Sequence, residues 1–111
     1  NVIWQGDANA YALRSLLLAE VPPLILNITG PETISVRALA LRFGELMGRE
    51  PIFEGSEADT ALLSNAQLAH KLFGYPRISL ETIIGWVAEW VMAGGPVWDK
   101  PTKFQVRNGR F

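Results

Sequence analysis

The sequence predicts an α+β domain of about three short strands and four helices. Two observations predict this class: short apolar, partly β-branched runs bounded by glycine or proline, and longer runs in which apolar residues recur at helical spacing. The chain has 111 residues, of which 49% are hydrophobic, and this fits one globular domain. A chain of this size buries only roughly two thirds of its unfolded surface, so a large unused apolar face would need a partner.

The first two elements lie before Pro22-Pro23. Asn1–Gln5 is short and apolar, which predicts a strand that enters a turn at Gly6. Asp7 follows where the N-cap of a helix is expected, and residues 8–20 are good helix formers. The predicted inward face of this helix consists of Leu13, Leu16 and Leu17.

The next strand and helix are bounded by clear turn and cap signals. Leu24–Ile28 predicts a second strand, closed by turn residues at Gly30. Ser35 is the expected N-cap of the second helix, and Gly48 stands where a left-handed C-cap belongs. The apolar residues at helical spacing between them are Val36, Leu39, Ala40, Phe43, Leu46 and Met47.

A third strand and a short helix follow. Pro51–Glu54 predicts an edge strand, because proline is tolerated at the start or edge of a sheet. Ser64 and Gln67 have the spacing of a capping box, which predicts a helix to about Phe73 that ends at Gly74.

The fourth helix closes the predicted domain. Ser79 is its expected N-cap, and the helix is expected to end at Gly94. Its apolar stripe consists of Leu80, Ile83, Ile84, Val87, Trp90 and Val91. These boundaries predict a subdomain over residues 1–95 and a basic C-terminal tail over residues 96–111, with Lys100, Lys103, Arg107 and Arg110.

Composition excludes several classes of function. A formal net charge of -1 argues against nucleic-acid binding. The absence of cysteine and the single histidine, His70, argue against a thiolate or multi-histidine metal site. The apolar runs are shorter than the ~20 residues that span a bilayer, so no membrane association is expected. The absence of cysteine fits a cytoplasmic location, which is the location expected. The strand predicted at Asn1, without an initiator methionine, suggests a cut through a larger protein.

Three segments share the motifs of one family. Residues 4–10 read Trp-Gln-Gly-Asp-Ala-Asn-Ala; residues 26–37 contain Asn-Ile-Thr-Gly and then Ile-Ser-Val-Arg; residues 64–76 contain Ser-Asn-Ala and then Leu-Phe-Gly-Tyr-Pro. In this order and spacing, they resemble the C-terminal region of the NAD-dependent epimerase/dehydratase family, the extended short-chain dehydrogenases/reductases. The resemblance spans residues 2 to about 92.

The resemblance implies the substrate-binding C-terminal part of a Rossmann-type enzyme, without its nucleotide-binding core. NAD or NADP would bind the parent protein and not this fragment, since no Gly-x-Gly-x-x-Gly run is present. The family's catalytic Tyr-x-x-x-Lys is also missing, because Tyr11 is followed four residues later by Ser15 and Tyr75 by Ser79. No catalytic or cofactor-binding residue is therefore assigned, and activity is expected of the parent alone.

Four residues are candidates for substrate binding. Trp4 and Gln5 stand at the first junction before a helix, which in the family lies near the substrate cleft. The core is the slightly favoured place for Trp4, and Gln5 could equally be exposed at an edge without a role. Asn27 could line the cleft or hold the next turn. Arg37 could clamp an anionic substrate or be paired within the domain.

Trp86 and Trp90 are one turn apart on the fourth helix and are candidates for an interface with the missing N-terminal nucleotide-binding domain. A homodimer is a further candidate. Nucleotide-sugar members of the family usually carry an arginine shortly before the Ser-Lys-Ala helix, but residues 59–63 contain no cation. This favours a sugar-like, sugar-acid or small carbonyl or hydroxyl substrate.

Two alternatives stay open. The chain could be a non-enzymatic protein-interaction or dimerisation module, or part of a homologue that senses a dinucleotide without catalysis.

Overall fold

A computed structural model describes residues 1–101 of the chain. Its helices are α1 (Gln5–Ser15), which continues into a 3-10 turn at Leu16–Leu18, α2 (Val36–Met47), α3 (Gln67–Phe73) and α4 (Leu80–Met92). Helix α1 packs against α3, and α2 packs against α4. The four predicted helices are thus confirmed, but the predicted α+β class is wrong for the described residues.

The three predicted strands, Asn1–Gln5, Leu24–Ile28 and Pro51–Glu54, are absent from the described part of the chain. A single backbone hydrogen bond, from the Gly30 N–H to the Val2 carbonyl at 3.0 Å, joins the first segment to the residues that follow the second. A strand requires a ladder of such bonds with a neighbour. Apolar and β-branched composition indicates a local preference for extended backbone, but it does not supply the neighbouring strand.

Helix α1 begins earlier than the sequence indicates. Trp4 is its N-cap residue, and the predicted N-cap Asp7 lies inside the first turn with 2% of its surface exposed. One carboxylate oxygen of Asp7 accepts a hydrogen bond from the Ile78 N–H at 3.0 Å, and the other lies 3.5 Å from Nε of Arg77. The capping assignment of Asp7 is therefore wrong, because this carboxylate binds a distant backbone amide in front of α4.

The same face of α1 holds the link between α3 and α4 at two further points. The Tyr11 hydroxyl donates to the Gly74 carbonyl at 2.5 Å, and Arg14 donates to the Phe73 carbonyl at 2.9 Å. With Asp7, these residues recur at i, i+4 and i+7, so they share one helix face. The buried side of α1 is therefore polar and aromatic, and the predicted inward leucines are exposed: Leu13, Leu16 and Leu17.

The caps of α2 and α4 agree with the sequence. Ser35 accepts a hydrogen bond from the Ala38 N–H at 3.3 Å, and Ser79 accepts one from the Thr82 N–H at 3.2 Å. Gly48 ends α2 with φ of 65°, the left-handed conformation that favours glycine. These three predictions are confirmed.

The start of α3 differs from the predicted capping box. Ala66 is the N-cap residue, and the Asn65 side-chain oxygen accepts a hydrogen bond from the Gln67 N–H at 3.0 Å. Ser64 instead donates its backbone N–H to the side-chain oxygen of Asn1 at 3.3 Å. The capping role of Ser64 is therefore wrong, because its backbone binds Asn1 and the amide of Gln67 bonds to the Asn65 side chain instead.

The core is small. Within residues 1–101, the buried hydrophobic residues are Tyr11, Ala66, Ala69, Ile84 and Ala88. Three of these five are alanines, so the helices approach closely but bury little apolar area between them. Many larger apolar side chains, by contrast, are exposed.

The predicted basic tail continues beyond the described residues. In its first part, Lys100 lies 5.5 Å from the centre of the exposed Trp98 ring. Lys103, Arg107 and Arg110 lie outside the described residues.

Candidate functional site

Three tryptophans form a contiguous exposed surface, which we name the tryptophan strip: Trp4, Trp86 and Trp90. Trp4 meets Trp86 edge to face, with ring centres 5.7 Å apart. Trp90 is one turn further along α4, and its indole N–H donates to the Pro96 carbonyl at 3.1 Å. The strip therefore runs from the start of α1 along one side of α4.

The tryptophan strip is both held in place and accessible. The Trp4 ring lies over Gly6, where any Cβ would overlap it, and the Trp90 ring lies against Gly95 in the same way. Trp86 is 44% exposed and Trp90 is 52% exposed. Large aromatic side chains with a fixed orientation lose little conformational entropy when a partner covers them. The fixed and exposed rings of the tryptophan strip therefore suit a protein interface better than mobile side chains would.

Gln5 adjoins the strip at the first residue of α1 and is exposed. Within residues 1–101 its side chain has no hydrogen-bond partner, so both its carbonyl oxygen and its amide group face solvent unpaired. An amide in this position can bind a hydroxyl or a carboxylate next to the indole of Trp4.

Asn27 has a structural partner. Its side-chain amide donates to the Asn65 carbonyl at 3.1 Å, and the nearby Asn1 side chain donates to the Ser64 carbonyl at 2.7 Å and to the Gly30 carbonyl at 3.3 Å. These bonds join the segments that precede α1, α2 and α3, so the amide of Asn27 is used in holding the fold.

Arg37 is likewise engaged within the domain. Its Nε atom bonds to the Glu57 carboxylate at 2.6 Å, and its guanidinium carbon lies 4.2 Å from the centre of the Phe53 ring. The pair is exposed, so it contributes little to stability, but it holds residues 53–57 against the start of α2. Of the four predicted substrate residues, Trp4 and Gln5 are therefore neighbours at the start of α1, whereas Asn27 and Arg37 each bind a different part of the domain. The four do not converge on one site in residues 1–101.

His70 sits at the boundary of the core rather than in a metal site. Its Nε2 atom lies 3.0 Å from the Thr29 carbonyl, and because a carbonyl only accepts, Nε2 carries the proton. Within residues 1–101 no group of three or more potential metal-binding side chains comes together.

Two features of the structure are not predicted by the sequence. The first is the attachment of α1 to residues 73–78 through Asp7, Tyr11 and Arg14, for which the i, i+4, i+7 spacing was the only signal. The second is a groove of about 460 Å³ between α2 and α4. Its apolar pairs recur at i, i+4 on each helix, but their spacing did not reveal a gap between the helices.

Four glycines of the described residues have a positive φ. A pyrophosphate site needs a glycine-rich turn that leads into a helix N-terminus. Gly48, Gly74 and Gly94 have positive φ but follow the ends of α2, α3 and α4, and Gly55 lies alone in a loop. None of these four glycines therefore leads directly into a helix in residues 1–101.

No helix among the described residues is both long and apolar enough to span a bilayer. A scan against protein-family models gives no match, and searches of curated proteins and of solved structures give no significant match. The family resemblance therefore rests on the three sequence segments that carry it.

Proposed function

We propose that this chain is the substrate-side part of an NAD(P)-dependent epimerase/dehydratase or dehydrogenase, and that its tryptophan strip docks on a nucleotide-binding domain. The observation that carries the docking half of the proposal is the exposure of Trp86 and Trp90 on one side of α4. The three family-like segments carry the enzymatic half.

The small size of the core is evidence that another domain covers part of this chain. Burial of an aromatic side chain contributes roughly 1.5–3 kcal/mol, and the described core gains this from only a few large residues. A helix with apolar residues on several sides is normally covered. Besides Trp86 and Trp90, α4 exposes Val87, Val91 and Met92.

Gln5 and Trp4 are the substrate-facing residues in this proposal. Gln5 presents an unpaired amide, and the exposed edge of Trp4 would form an apolar wall beside it. Asn27 and Arg37 suit this role less well, because each already binds a partner within the domain. The substrate class is a sugar-like, sugar-acid or small carbonyl or hydroxyl compound.

The cofactor and the acid/base chemistry belong to the partner domain. NAD or NADP would supply hydride transfer there, and this chain would bind and orient the substrate without activity of its own. A cytoplasmic location is part of the same proposal.

Two measurements test the enzymatic half. The coding sequence upstream of Asn1 is expected to encode a Gly-rich turn and a Tyr-x-x-x-Lys motif. A Gly-rich turn alone would favour a dinucleotide sensor. The absence of both motifs would refute the enzymatic proposal. Calorimetric titration of the 111-residue chain with NADH and NADPH is expected to show no binding. Tight binding by the chain alone would overturn the proposal.

The docking half is tested with the nucleotide-binding domain supplied as a separate chain. The double variant W86A/W90A is expected to weaken the association at least 100-fold, because hot-spot tryptophans contribute 2 kcal/mol or more each. The matched control is V36A, an exposed apolar truncation at the start of α2. Equal losses in the two variants would show that the strip is not the docking surface.

A further inference from the structure

The groove between α2 and α4 is a second apolar surface, separate from the tryptophan strip. Phe43 and Met47 of α2 line one wall, and Val87 and Val91 of α4 line the other. Both valines are exposed, so the groove opens to solvent. Exposed apolar surface between two helices makes this groove a candidate interaction site.

Two charges of opposite sign line the same groove. Arg49 and Glu50 follow directly after the C-cap Gly48, and both are exposed. Within residues 1–101 neither side chain forms an ion pair.

The turn that carries these charges is held against α2. The Arg49 N–H donates to the Gly44 carbonyl at 3.0 Å, and a Cβ at Gly44 would lie 2.6 Å from the Arg49 carbonyl oxygen and 2.9 Å from Pro51. Only glycine at position 44 permits this approach. The backbone of the two charged residues therefore has a fixed position relative to the groove.

We propose that a second copy of this chain covers the groove, related to the first by a twofold axis. In such an arrangement the apolar walls of the two grooves meet, and Arg49 of each copy faces Glu50 of the other. A basic or an acidic partner would satisfy one of these charges and repel the other, whereas a second copy satisfies both by symmetry. The net charge of -1 adds almost no repulsion between copies.

This dimer does not depend on the proposed function, because it uses the groove and leaves the tryptophan strip free. Sedimentation equilibrium of the full 111-residue chain is expected to show a reversible monomer–dimer equilibrium. V91K is expected to weaken the dimer at least tenfold, because it places an ammonium group in the apolar contact. V36K, which adds the same charge on an exposed site at the start of α2, is expected to leave the dissociation constant unchanged.

The charge pair gives a test that does not depend on the apolar wall. R49E and E50R are each expected to weaken self-association, because each variant brings like charges together across the axis. An equimolar mixture of the two variants is expected to recover association as a heterodimer, because both of its contacts are then of opposite sign. One contact is the original pair of Arg49 and Glu50, and the other pairs the two reversed side chains. Circular dichroism confirms that each variant is folded.

The proposal is overturned by a wild-type chain that stays monomeric at all accessible concentrations, by equal effects of V91K and V36K, or by a mixture that associates no better than its components. Loss of the dimer in W86A/W90A would place the second copy on the tryptophan strip instead, and would also refute the groove. The enzymatic proposal is unaffected by any of these outcomes, because dinucleotide binding is measured separately.

Discussion

Replacement of Asp7 by alanine is expected to be among the most damaging single substitutions in the described part of the chain. The Asp7 carboxylate is 2% exposed and accepts a hydrogen bond from the Ile78 N–H at 3.0 Å. A hydrogen bond to a charged acceptor contributes about 1.5–3 kcal/mol, and its removal leaves a partly buried amide without a partner. The contact with Arg77 adds under about 1 kcal/mol, because that side chain is 79% exposed.

The expected loss in the free energy of unfolding for D7A is therefore about 2–3 kcal/mol. This is a large share of the 5–15 kcal/mol that is typical of a folded domain. D7N keeps an acceptor oxygen but not its charge, and since charge-assisted bonds are roughly twice as strong as neutral ones, it is expected to lose about half as much. R77A is the matched control and is expected to lose less than about 1 kcal/mol.

Urea unfolding followed by tryptophan fluorescence measures these differences, because Trp4 and Trp86 meet next to α1. The expected order of stability is wild type, R77A, D7N and then D7A. A loss below about 0.5 kcal/mol in D7A would refute the reasoning, as would a loss in R77A equal to that in D7A. Either result would mean that the bond to the Ile78 amide does not hold the start of α4.

Three further substitutions test other parts of the structure. Burial raises the pKa of Tyr11 above its ordinary value of 10.0, with a further contribution from Asp7 that Arg14 partly offsets. The unfolded chain then loses this proton first, so stability is expected to fall as pH rises from about 10 through the folded pKa. Y11F is expected to lack this component of the fall, and parallel unfolding curves for both proteins between pH 8 and 11 would contradict it. In G30A, the added methyl group would overlap the Val2 carbonyl oxygen, so thermal unfolding is expected at a clearly lower temperature. G85A is expected to stabilise the protein by about 0.5–1 kcal/mol, because it removes a glycine from the interior of α4 and its Cβ meets open space; a lower unfolding temperature would show that the site is not open.

The ends of the longer helices could be predicted from the sequence because a cap is a local device. Ser35 and Ser79 bind amides three residues ahead in the same chain, and Gly48 adopts a positive φ that its own lack of a Cβ allows. Each of these interactions is complete within four residues. These caps therefore do not depend on contacts with distant parts of the chain.

The absence of strands and the orientation of α1 could not be predicted in this way, because both depend on residues far apart in the chain. An apolar run becomes a strand only when a neighbour supplies the hydrogen-bond ladder, and Leu24–Ile28 has none in the described residues. Asp7 has the composition and position of a helix cap, yet its partner is an amide 71 residues away.

The candidate site also has one part that the sequence predicts and another that only packing explains. The one-turn spacing of Trp86 and Trp90 is visible in the sequence, but their contact with Trp4 and the groove on the other side of α4 arise only from packing. The sequence by itself determined the helices, the serine caps of α2 and α4, and the amino acids available for binding. The tertiary structure alone decided which faces are covered, because burial depends on contacts between residues that the chain order keeps apart.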